Sequence, residues 1–226
     1  MLLIHGAGLD DRFWQPAAPD VAICLPGRGK CPGPPLHSVA EMAAYAIETL
    51  PVGPPVTIAG HSLGGAVALE MAIQAAEDPA SQERIAGLVL ISTGGRLRVR
   101  PEILAMAMEA EKAGVPLEIN GWALPEGMPQ QRQLLQDIER SVPPATALAD
   151  WTAADRFDRL RDLGKIRLPV RILVGEEDRL TPPKYAAFLA AQIPGATLRV
   201  FPGRGHMLPL EIPEEIGEEL EQRKRS

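Results

Sequence analysis

Short runs of apolar residues alternate with amphipathic segments along most of the chain. The runs are apolar at nearly every position, which is typical of strands that are buried on both faces. They predict six strands, at residues 2–4, 21–25, 56–59, 86–91, 170–174 and 198–201. Helical segments separate these strands, so the pattern predicts an α/β fold with a mostly parallel sheet and helices on both of its faces.

Apolar residues at helical spacing predict the helices of this fold. The first helix is expected to begin at a capping box, because Ser38 and Glu41 have the spacing at which their two side chains satisfy free N–H groups of a helix start. Apolar positions then recur at helical spacing to about Leu50. Further helices are predicted at residues 65–77 and 183–192 and from about residue 213.

The alternation of strands and helices stops after Arg96 and resumes near residue 164. Between these points the sequence has helical segments and no convincing strand, with helices predicted at about residues 101–113, 130–141 and 145–160. We therefore expect a small helical cap at residues 97–163, inserted into a core that is formed by residues 1–96 and 164–226.

Composition and charge narrow the functions that this fold could serve. A length of 226 residues with 46% hydrophobic residues suits one domain with a sizeable core. The net charge of −6 provides no basic surface for nucleic acid or for an anionic membrane. No apolar run approaches the ~20 residues of a membrane-spanning helix. No signal peptide is evident, so we expect a cytoplasmic protein with free thiols at Cys24 and Cys31.

The stretch from Gly60 to Gly65 joins a predicted strand to a predicted helix through the sequence Gly-His-Ser-Leu-Gly-Gly. Strand, tight turn and helix form the context that the G-x-S-x-G motif requires, with Ser62 presented at the tip of the turn. Side chains at positions 60 and 64 would clash in so tight a turn, which accounts for the glycines. The Leu63 N–H lies at the helix start and could bind a developing oxyanion. The motif also occurs by chance, but here its flanking elements match as well.

Two further candidates lie just past the carboxyl ends of later strands. Asp178 follows the fifth predicted strand and His206 follows the sixth. The carboxyl ends of parallel strands meet at one edge of the sheet, where ligands bind, so both side chains are expected near Ser62. A serine hydroxyl is a weak nucleophile until a histidine takes its proton and a carboxylate orients that histidine. Glu176 and Glu177 are alternative carboxylates.

In these motifs the sequence resembles the α/β-hydrolase superfamily, in particular esterase- and lipase-like members with Gly-His-Ser-x-Gly-Gly at the nucleophile turn. The resemblance covers nearly the whole chain and is carried by His5–Gly8, Gly60–Gly65, Gly175–Pro182 and Gly205-His206. It implies a triad of Ser62, His206 and Asp178, with the backbone N–H groups of Leu63 and Ala7 as oxyanion donors. Family members usually carry a β-hairpin before the first strand found here, and without it the sheet is expected to have about six strands.

The resemblance implies a serine hydrolase that cleaves a carboxylic ester of short to medium acyl chain through an acyl-enzyme intermediate, with no cofactor and no metal ion. The expected partner is a small-molecule ester, and the protein is expected to be a monomer or a homodimer. A thioesterase, a monoacylglycerol-type lipase and a C–C bond hydrolase would use the same triad, so these alternatives stay open. A hydrolase-fold protein that binds a ligand with little turnover is a further alternative.

Substrate-binding residues are expected beside the nucleophile and in the cap. Gly6 and His61 belong to the loops around Ser62. The cap is expected to supply an apolar lining for an acyl chain or a hydrophobic alcohol. The cap residues predicted to line the pocket are Met106, Trp122, Met128 and Trp151. These side chains could equally form the cap's own core.

Overall fold

The computed structural model describes residues 1–18, 22–78, 82–119 and 123–224. Its six strands are β1 (Leu2–Ile4), β2 (Ala22–Ile23), β3 (Val56–His61), β4 (Ile85–Ile91), β5 (Val170–Gly175) and β6 (Thr197–Phe201). They form one sheet in the order β2-β1-β3-β4-β5-β6, and every neighbouring pair is parallel. The predicted parallel α/β sheet is therefore confirmed. The second strand is shorter than the predicted 21–25, and Val21 lies outside the described residues.

Eight α-helices accompany the sheet within the described residues. They are α1 (Val39–Glu48), α2 (Leu63–Ala75), α3 (Pro101–Ala113), α4 (Pro129–Ser141), α5 (Pro144–Arg156), α6 (Pro183–Gln192), α7 (Leu208–Glu211) and α8 (Pro213–Lys224). Two short 3₁₀ helices lie at Asp11–Trp14 and Leu163–Lys165. The short helix α7 was not predicted, because four residues are too few to show a helical period.

The predicted end of the fifth helix, near residue 160, is wrong, since α5 ends at Arg156. After that point the backbone turns to pair with the segment that leaves β4. The Leu97 N–H donates to the Phe157 carbonyl at 3.3 Å, and the Arg159 N–H donates to the Gly95 carbonyl at 2.8 Å. These hydrogen bonds compete with the helical ones, so the helix stops where the two strand-like segments meet.

The helices α3, α4 and α5 all lie between β4 and β5 in the chain, as the predicted cap requires. Helix α3 packs on α5, and α5 also contacts α2 beside the sheet. Helix α4 contacts the 3₁₀ helix at Asp11–Trp14. The exact bounds of the cap, residues 97–163, stay a prediction.

Both faces of the central strands are covered. Every position of β3 from Thr57 to His61 is buried, as are the last five positions of β4. Helix α2 packs against β1, β3 and β4, while α8 also contacts β3. Continuous burial at successive positions requires cover on both sides of the sheet, because neighbouring side chains on a strand point to opposite faces.

The first helix begins at the predicted capping residues. The Ser38 hydroxyl accepts the Glu41 N–H at 3.2 Å, and the Glu41 carboxylate accepts the His37 N–H at 2.7 Å. In the usual capping box the glutamate would accept the N–H of the capping serine itself. Here the Glu41 carboxylate instead accepts the N–H of His37, the residue before the capping serine. The two side chains therefore satisfy the N–H groups of residues 37 and 41.

The chain order of the sheet creates a crevice beside β1. From β1 the chain moves to β2 on one side, and it then returns to place β3 on the other side. Ligands bind in open α/β sheets at such a switch, at the carboxyl ends of the strands. The residues that leave β1 and β3 at this point are His5 and Ser62.

The sequence predicts that the chain has no membrane-spanning helix and that its two cysteines are free thiols. No helix within the described ranges is long and apolar enough to cross a membrane. Cys24 and Cys31 are both free thiols, as predicted. Burial, aided by the neighbouring Cys31, raises the pKa of the Cys24 thiol to about 12, so this thiol is not ionised at neutral pH.

Candidate active site

Ser62 lies at the tip of the turn between β3 and α2. Its backbone has φ 53° and ψ −117°, and Ser92 is the only other non-glycine residue with positive φ in the described part of the chain. Such a conformation is strained for a residue with a side chain. The Ser62 N–H donates to the Ile91 carbonyl at 2.9 Å, and its carbonyl accepts from the Thr93 hydroxyl at 2.8 Å. The end of β4 thus holds the serine in its strained position.

Two glycines beside Ser62 allow the turn to be this tight. A Cβ atom on Gly60 would overlap the carbonyl of Gly64. A Cβ atom on Gly64 would overlap the carbonyl of Ile4 in β1. Because these obstacles are backbone atoms of the sheet and the helix start, no side-chain movement could relieve them. The steric reason that the sequence indicates for these glycines is therefore present in the structure.

Two backbone N–H groups near Ser62 are the predicted oxyanion donors. Leu63 is the first residue of α2, where N–H groups have no acceptor within the helix. Ala7 follows β1, the strand that pairs with β3, and it lines both of the cavities that Ser62 lines. The positive end of the α2 dipole adds to the attraction for a negatively charged oxygen.

A buried ion pair anchors the loop that carries Ala7. The Gly8 N–H donates to Asp150 of α5 at 2.9 Å, and the same carboxylate accepts two hydrogen bonds from Arg28 at 2.7 and 2.8 Å. Arg28 also donates to the Leu9 carbonyl at 2.9 Å. Both charged side chains are almost wholly buried, so breaking the pair would leave an uncompensated charge. The pair therefore ties this loop firmly to α5.

Two histidines support the site as neutral side chains. Burial lowers the pKa of His5 to about 4, and burial together with the charge of the nearby His206 lowers the pKa of His61 to about 3. His5 Nε2 accepts the Leu25 N–H at 3.3 Å, and its Nδ1 donates to the Gly6 carbonyl at 2.9 Å. His61 Nε2 donates to the His206 carbonyl at 3.0 Å. These bonds fix the loops, which leaves His206 as the candidate base.

His206 and Asp178 form a buried pair at the carboxyl edge of the sheet. His206 Nδ1 lies 2.9 Å from Asp178 Oδ2 and 3.0 Å from Oδ1. Both residues are buried, and His206 lines the same cavity as Ser62. The alternative carboxylates Glu176 and Glu177 are exposed. The structure thus brings the three predicted triad residues to one edge of the sheet, with Asp178 as the partner of His206.

Asp178 is held as a carboxylate by its neighbours. It accepts the backbone N–H groups of Leu180 at 2.9 Å and Thr181 at 2.8 Å, and also the Thr181 hydroxyl at 2.8 Å. Burial alone would raise the pKa of Asp178, but the charge and hydrogen bond of His206 and the bonds from Thr181 outweigh it and lower the pKa. The role of Thr181 was not predicted, although an aspartate that accepts N–H groups two and three residues later is a common turn pattern.

A second carboxylate that the sequence analysis missed supports the His206 loop. Glu211 of α7 accepts the N–H of Gly205 at 2.8 Å and the N–H of Met207 at 2.9 Å, so it holds the residues on either side of His206. Burial raises the pKa of Glu211 despite these two hydrogen bonds. The short helix that carries Glu211 gave no sequence signal of its own.

Two small cavities flank Ser62. The first, termed the His206 cavity, is lined among others by Gly6, Ala7, His61, Glu139, Trp151 and His206. The second, termed the Leu63 cavity, is lined among others by Leu63, Leu97, Val99, Ile103 and Trp151. Both cavities contain Ser62, and each has a largely apolar wall. The described residues hold no group of three or more His, Cys, Asp or Glu side chains placed to bind a metal ion.

The predicted substrate-binding residues fall into three groups. Gly6 and His61 line the His206 cavity, and Trp151 lines both cavities. Met106 is 36% exposed on α3, and the half-buried Met128 packs against the core, so neither of them contributes to the lining of these two cavities. Trp122 lies outside the described residues.

Glu139 of α4 is an unexpected member of the His206 cavity. It is only 4% exposed, and its Oε1 accepts the Ile119 N–H at 2.9 Å. Burial raises the pKa of Glu139 to about 7, although the hydrogen bond from the Ile119 N–H lowers it. Glu118 adds a smaller upward contribution and Arg140 a smaller downward one. Glu139 was not predicted as a site residue, because an isolated glutamate on an amphipathic helix is usually solvent-exposed.

The raised pKa of Glu139 makes the stability of the fold depend on pH. Between its unfolded pKa and its folded pKa of about 7, the folded state binds more protons, so stability falls as the pH rises through this range. We expect Glu139→Gln to unfold like the parent at pH 5 and to be more stable than the parent by about 3 kcal/mol at pH 9. Urea unfolding at the two pH values measures this difference. An equal effect of the substitution at both pH values would contradict the burial of an ionisable Glu139.

Comparisons with known proteins agree with this architecture. The model of the alpha/beta hydrolase family matches residues 1–219. The chain is 26% identical, over 239 aligned positions, to the pimeloyl-[acyl-carrier protein] methyl ester esterase of Nitrosomonas europaea, with 96% of this chain and 92% of that protein covered. A thermophilic esterase of known structure is 36% identical, with a TM-score of 0.76 and coverage of 98% of this chain and 87% of the other. An Exiguobacterium antarcticum esterase has a TM-score of 0.83 at 20% identity, covers 100% and 92%, and shows the same fold.

Proposed function

This chain belongs to the alpha/beta hydrolase family, and from that premise we propose that it is a serine carboxylesterase acting on esters of short to medium acyl chain. Ser62 is the nucleophile, His206 is the general base and acid, and Asp178 orients His206. The N–H groups of Ala7 and Leu63 stabilise the oxyanion. The natural substrate is a small-molecule ester.

The observation that carries the proposal is the placement of two groups around one cavity. Ser62 is held on a strained turn at the start of α2, and His206, hydrogen-bonded to a buried carboxylate, lines the same cavity. A serine with an ordinary structural role needs neither the strain nor a histidine oriented in this way. The esterase names of the similar proteins support the same chemistry.

The reaction follows from the protonation states of the site. His206 Nδ1 faces the Asp178 carboxylate, so the proton of a neutral His206 is held on Nδ1 and Nε2 is left free to accept the Ser62 proton. The serine oxygen then attacks the ester carbonyl, and the negative charge on the carbonyl oxygen is stabilised by the two N–H groups. His206 returns the proton to the departing alcohol, which leaves an acyl-serine. Water, activated by His206, hydrolyses the acyl-serine and restores the enzyme.

The size of the acyl group is inferred from the walls of the two cavities. The Leu63 cavity has an apolar wall of Leu97, Val99 and Ile103 next to the oxyanion donor Leu63. Such a wall suits an aliphatic chain, and the small size of both cavities favours a chain of a few carbon atoms over a long fatty acid.

Hydrolysis of a series of p-nitrophenyl esters from acetate to palmitate tests the proposal. We expect turnover with an optimum of kcat/KM at short to medium chain length and a steep decline towards palmitate. Matched acyl thioesters, measured beside the oxygen esters, separate an esterase from a thioesterase. Comparable or higher activity on the thioesters would favour the latter. Saturable binding of the esters by folded protein without turnover would favour a ligand-binding role.

A further inference from the structure

An ester consists of an acyl half and an alcohol half. If the proposed function holds, each half occupies one of the two cavities beside Ser62. The departing alcohol oxygen must receive its proton from His206, so the alcohol half lies on the side of that residue. Of the two cavities that Ser62 lines, only the His206 cavity is also lined by His206. Another cavity that His206 lines, next to Glu177 and Arg179, does not include Ser62. The alcohol half therefore occupies the His206 cavity, and the acyl half extends into the Leu63 cavity.

Three residues that line the His206 cavity have a buried polar atom without a hydrogen-bonding partner among the described residues. Besides Nδ1 of His61, two of these atoms belong to the cap helices α4 and α5. One is Oε2 of Glu139, whose Oε1 is already used by the Ile119 N–H. The other is Nε1 of Trp151, a donor on a side chain that is 8% exposed. Buried polar groups are nearly always paired in folded proteins, and each unpaired one needs a specific explanation. Both atoms belong to residues that line the same cavity as Ser62.

These two atoms define the chemistry of a matching ligand group. Above its pKa of about 7, and so at the pH of 8 used below, Glu139 is a carboxylate whose Oε2 needs a donor. Nε1 of Trp151 can only donate and so needs an acceptor. An alkyl group would leave both atoms unpaired. A carboxylate would face the Glu139 carboxylate, and an ammonium group would offer no acceptor to Trp151. A hydroxyl group both donates and accepts, and it is small enough for this cavity.

We propose that the enzyme prefers esters whose alcohol half carries a free hydroxyl group, which donates to Glu139 and accepts from Trp151. The substrate class is thus a monoester of a small diol or polyol. Glu139 and Trp151 are specificity-determining residues in this scheme and take no part in the chemical step. This inference rests on the proposed esterase function, because the assignment of the alcohol half uses the role of His206.

Pairs of butyrate esters that differ by one hydroxyl group test the preference. The 2-hydroxyethyl, 3-hydroxypropyl and 4-hydroxybutyl esters are compared with the propyl, butyl and pentyl esters, in which a methyl group replaces the hydroxyl. Hydrolysis is followed by titration of the released acid at pH 8. In at least one pair we expect kcat/KM to favour the hydroxyl ester by about tenfold or more, because sites built to hydrogen-bond a hydroxyl reject the analogue that lacks it.

Three variants separate recognition from a structural role. Glu139→Leu removes the acceptor and Trp151→Phe removes the donor, and each is expected to lower the hydroxyl-to-methyl ratio to about one, with less effect on the alkyl ester. A purely structural role would lower kcat/KM for both esters equally and leave the ratio unchanged. Glu118→Gln is the matched control, because Glu118 lies outside the cavity lining and pairs with Arg140 on the surface. We expect it to keep the parent ratio.

Calorimetric binding of the same ester pairs to Ser62→Ala protein tests the hydroxyl preference in the absence of turnover. A hydroxyl preference in binding that is lost in Ser62→Ala/Glu139→Leu protein supports it, even if the parent protein hydrolyses no ester and the proposed function fails. Equal binding of both members of every pair, together with equal kcat/KM, would overturn the inference while leaving an esterase in place. A preference that survives Glu139→Leu and Trp151→Phe would overturn it as well.

Discussion

Ser62→Ala is expected to lower kcat by about 10⁶-fold, which is the loss found when the nucleophile of a serine triad is removed. The substitution takes away the atom that attacks the ester and forms the acyl-enzyme. It leaves the backbone interactions of residue 62 in place, because the bonds to Ile91 and Thr93 use the Ser62 N–H and carbonyl. Alanine meets the same strain as serine at φ 53°, so the thermal unfolding midpoint is expected to stay close to that of the parent. Single-turnover kinetics and a thermal melt together measure the two expectations.

Ser92→Ala provides a matched control for this variant. Ser92 also has positive φ, at 49°, and it lies fully buried at the end of β4. It does not line either of the two cavities beside Ser62. We expect Ser92→Ala to retain the activity of the parent on the p-nitrophenyl esters. Appreciable hydrolysis by Ser62→Ala would exclude Ser62 as the nucleophile. An equal loss in Ser92→Ala would mean that the loss is not specific to the hydroxyl of Ser62.

The architecture could be predicted because its signals are local. Each buried strand is a short apolar run, and the runs at β3, β4 and β5 were found with errors of one or two residues at their ends. The turn at Gly60–Gly65 could be predicted equally well, because its motif lies within six residues, although the atom that excludes a side chain at Gly64 belongs to Ile4 in β1. The end of α5 was missed because it depends on hydrogen bonds to Gly95 and Leu97, far away in the sequence.

The support around the candidate triad could not be predicted, because it is made by contacts between distant segments. Asp150 of α5 reaches the Gly8 N–H across 142 residues, and no sequence spacing indicates such a bond. Glu139 was not among the predicted site residues, and its burial is accompanied by a hydrogen bond from the Ile119 N–H, 20 residues away in the sequence. Met106 is the opposite case, since this apolar residue of α3, predicted to line the pocket or to form the cap's own core, is 36% exposed.

Asp178→Asn is expected to lower kcat by about 10⁴-fold, as the same change does in a well-studied serine triad. The neutral amide of asparagine can donate to His206 Nδ1, which would place the histidine proton on Nε2 and remove the base that faces Ser62. It would also stabilise a charged His206 less well than the carboxylate does.

The pKa of Asp178 is lowered in the folded state, so its carboxylate adds stability above the usual aspartate pKa, and this contribution is lost as the pH falls through the folded pKa.

Glu177→Gln is the matched control for Asp178→Asn, because it removes the neighbouring negative charge from an exposed side chain, while the carboxylate hydrogen-bonded to His206 is that of Asp178. We expect this variant to keep the kcat of the parent on the best ester of the p-nitrophenyl series, and to keep the parent's pH profile of kcat/KM. A larger loss in Glu177→Gln than in Asp178→Asn would assign the acid of the triad to Glu177. The two variants are expected to differ because Asp178 acts on His206 through a direct hydrogen bond, whereas the charge of the exposed Glu177 is screened by solvent. A loss of similar size in both would mean that the total negative charge of the loop, rather than this hydrogen bond, supports catalysis.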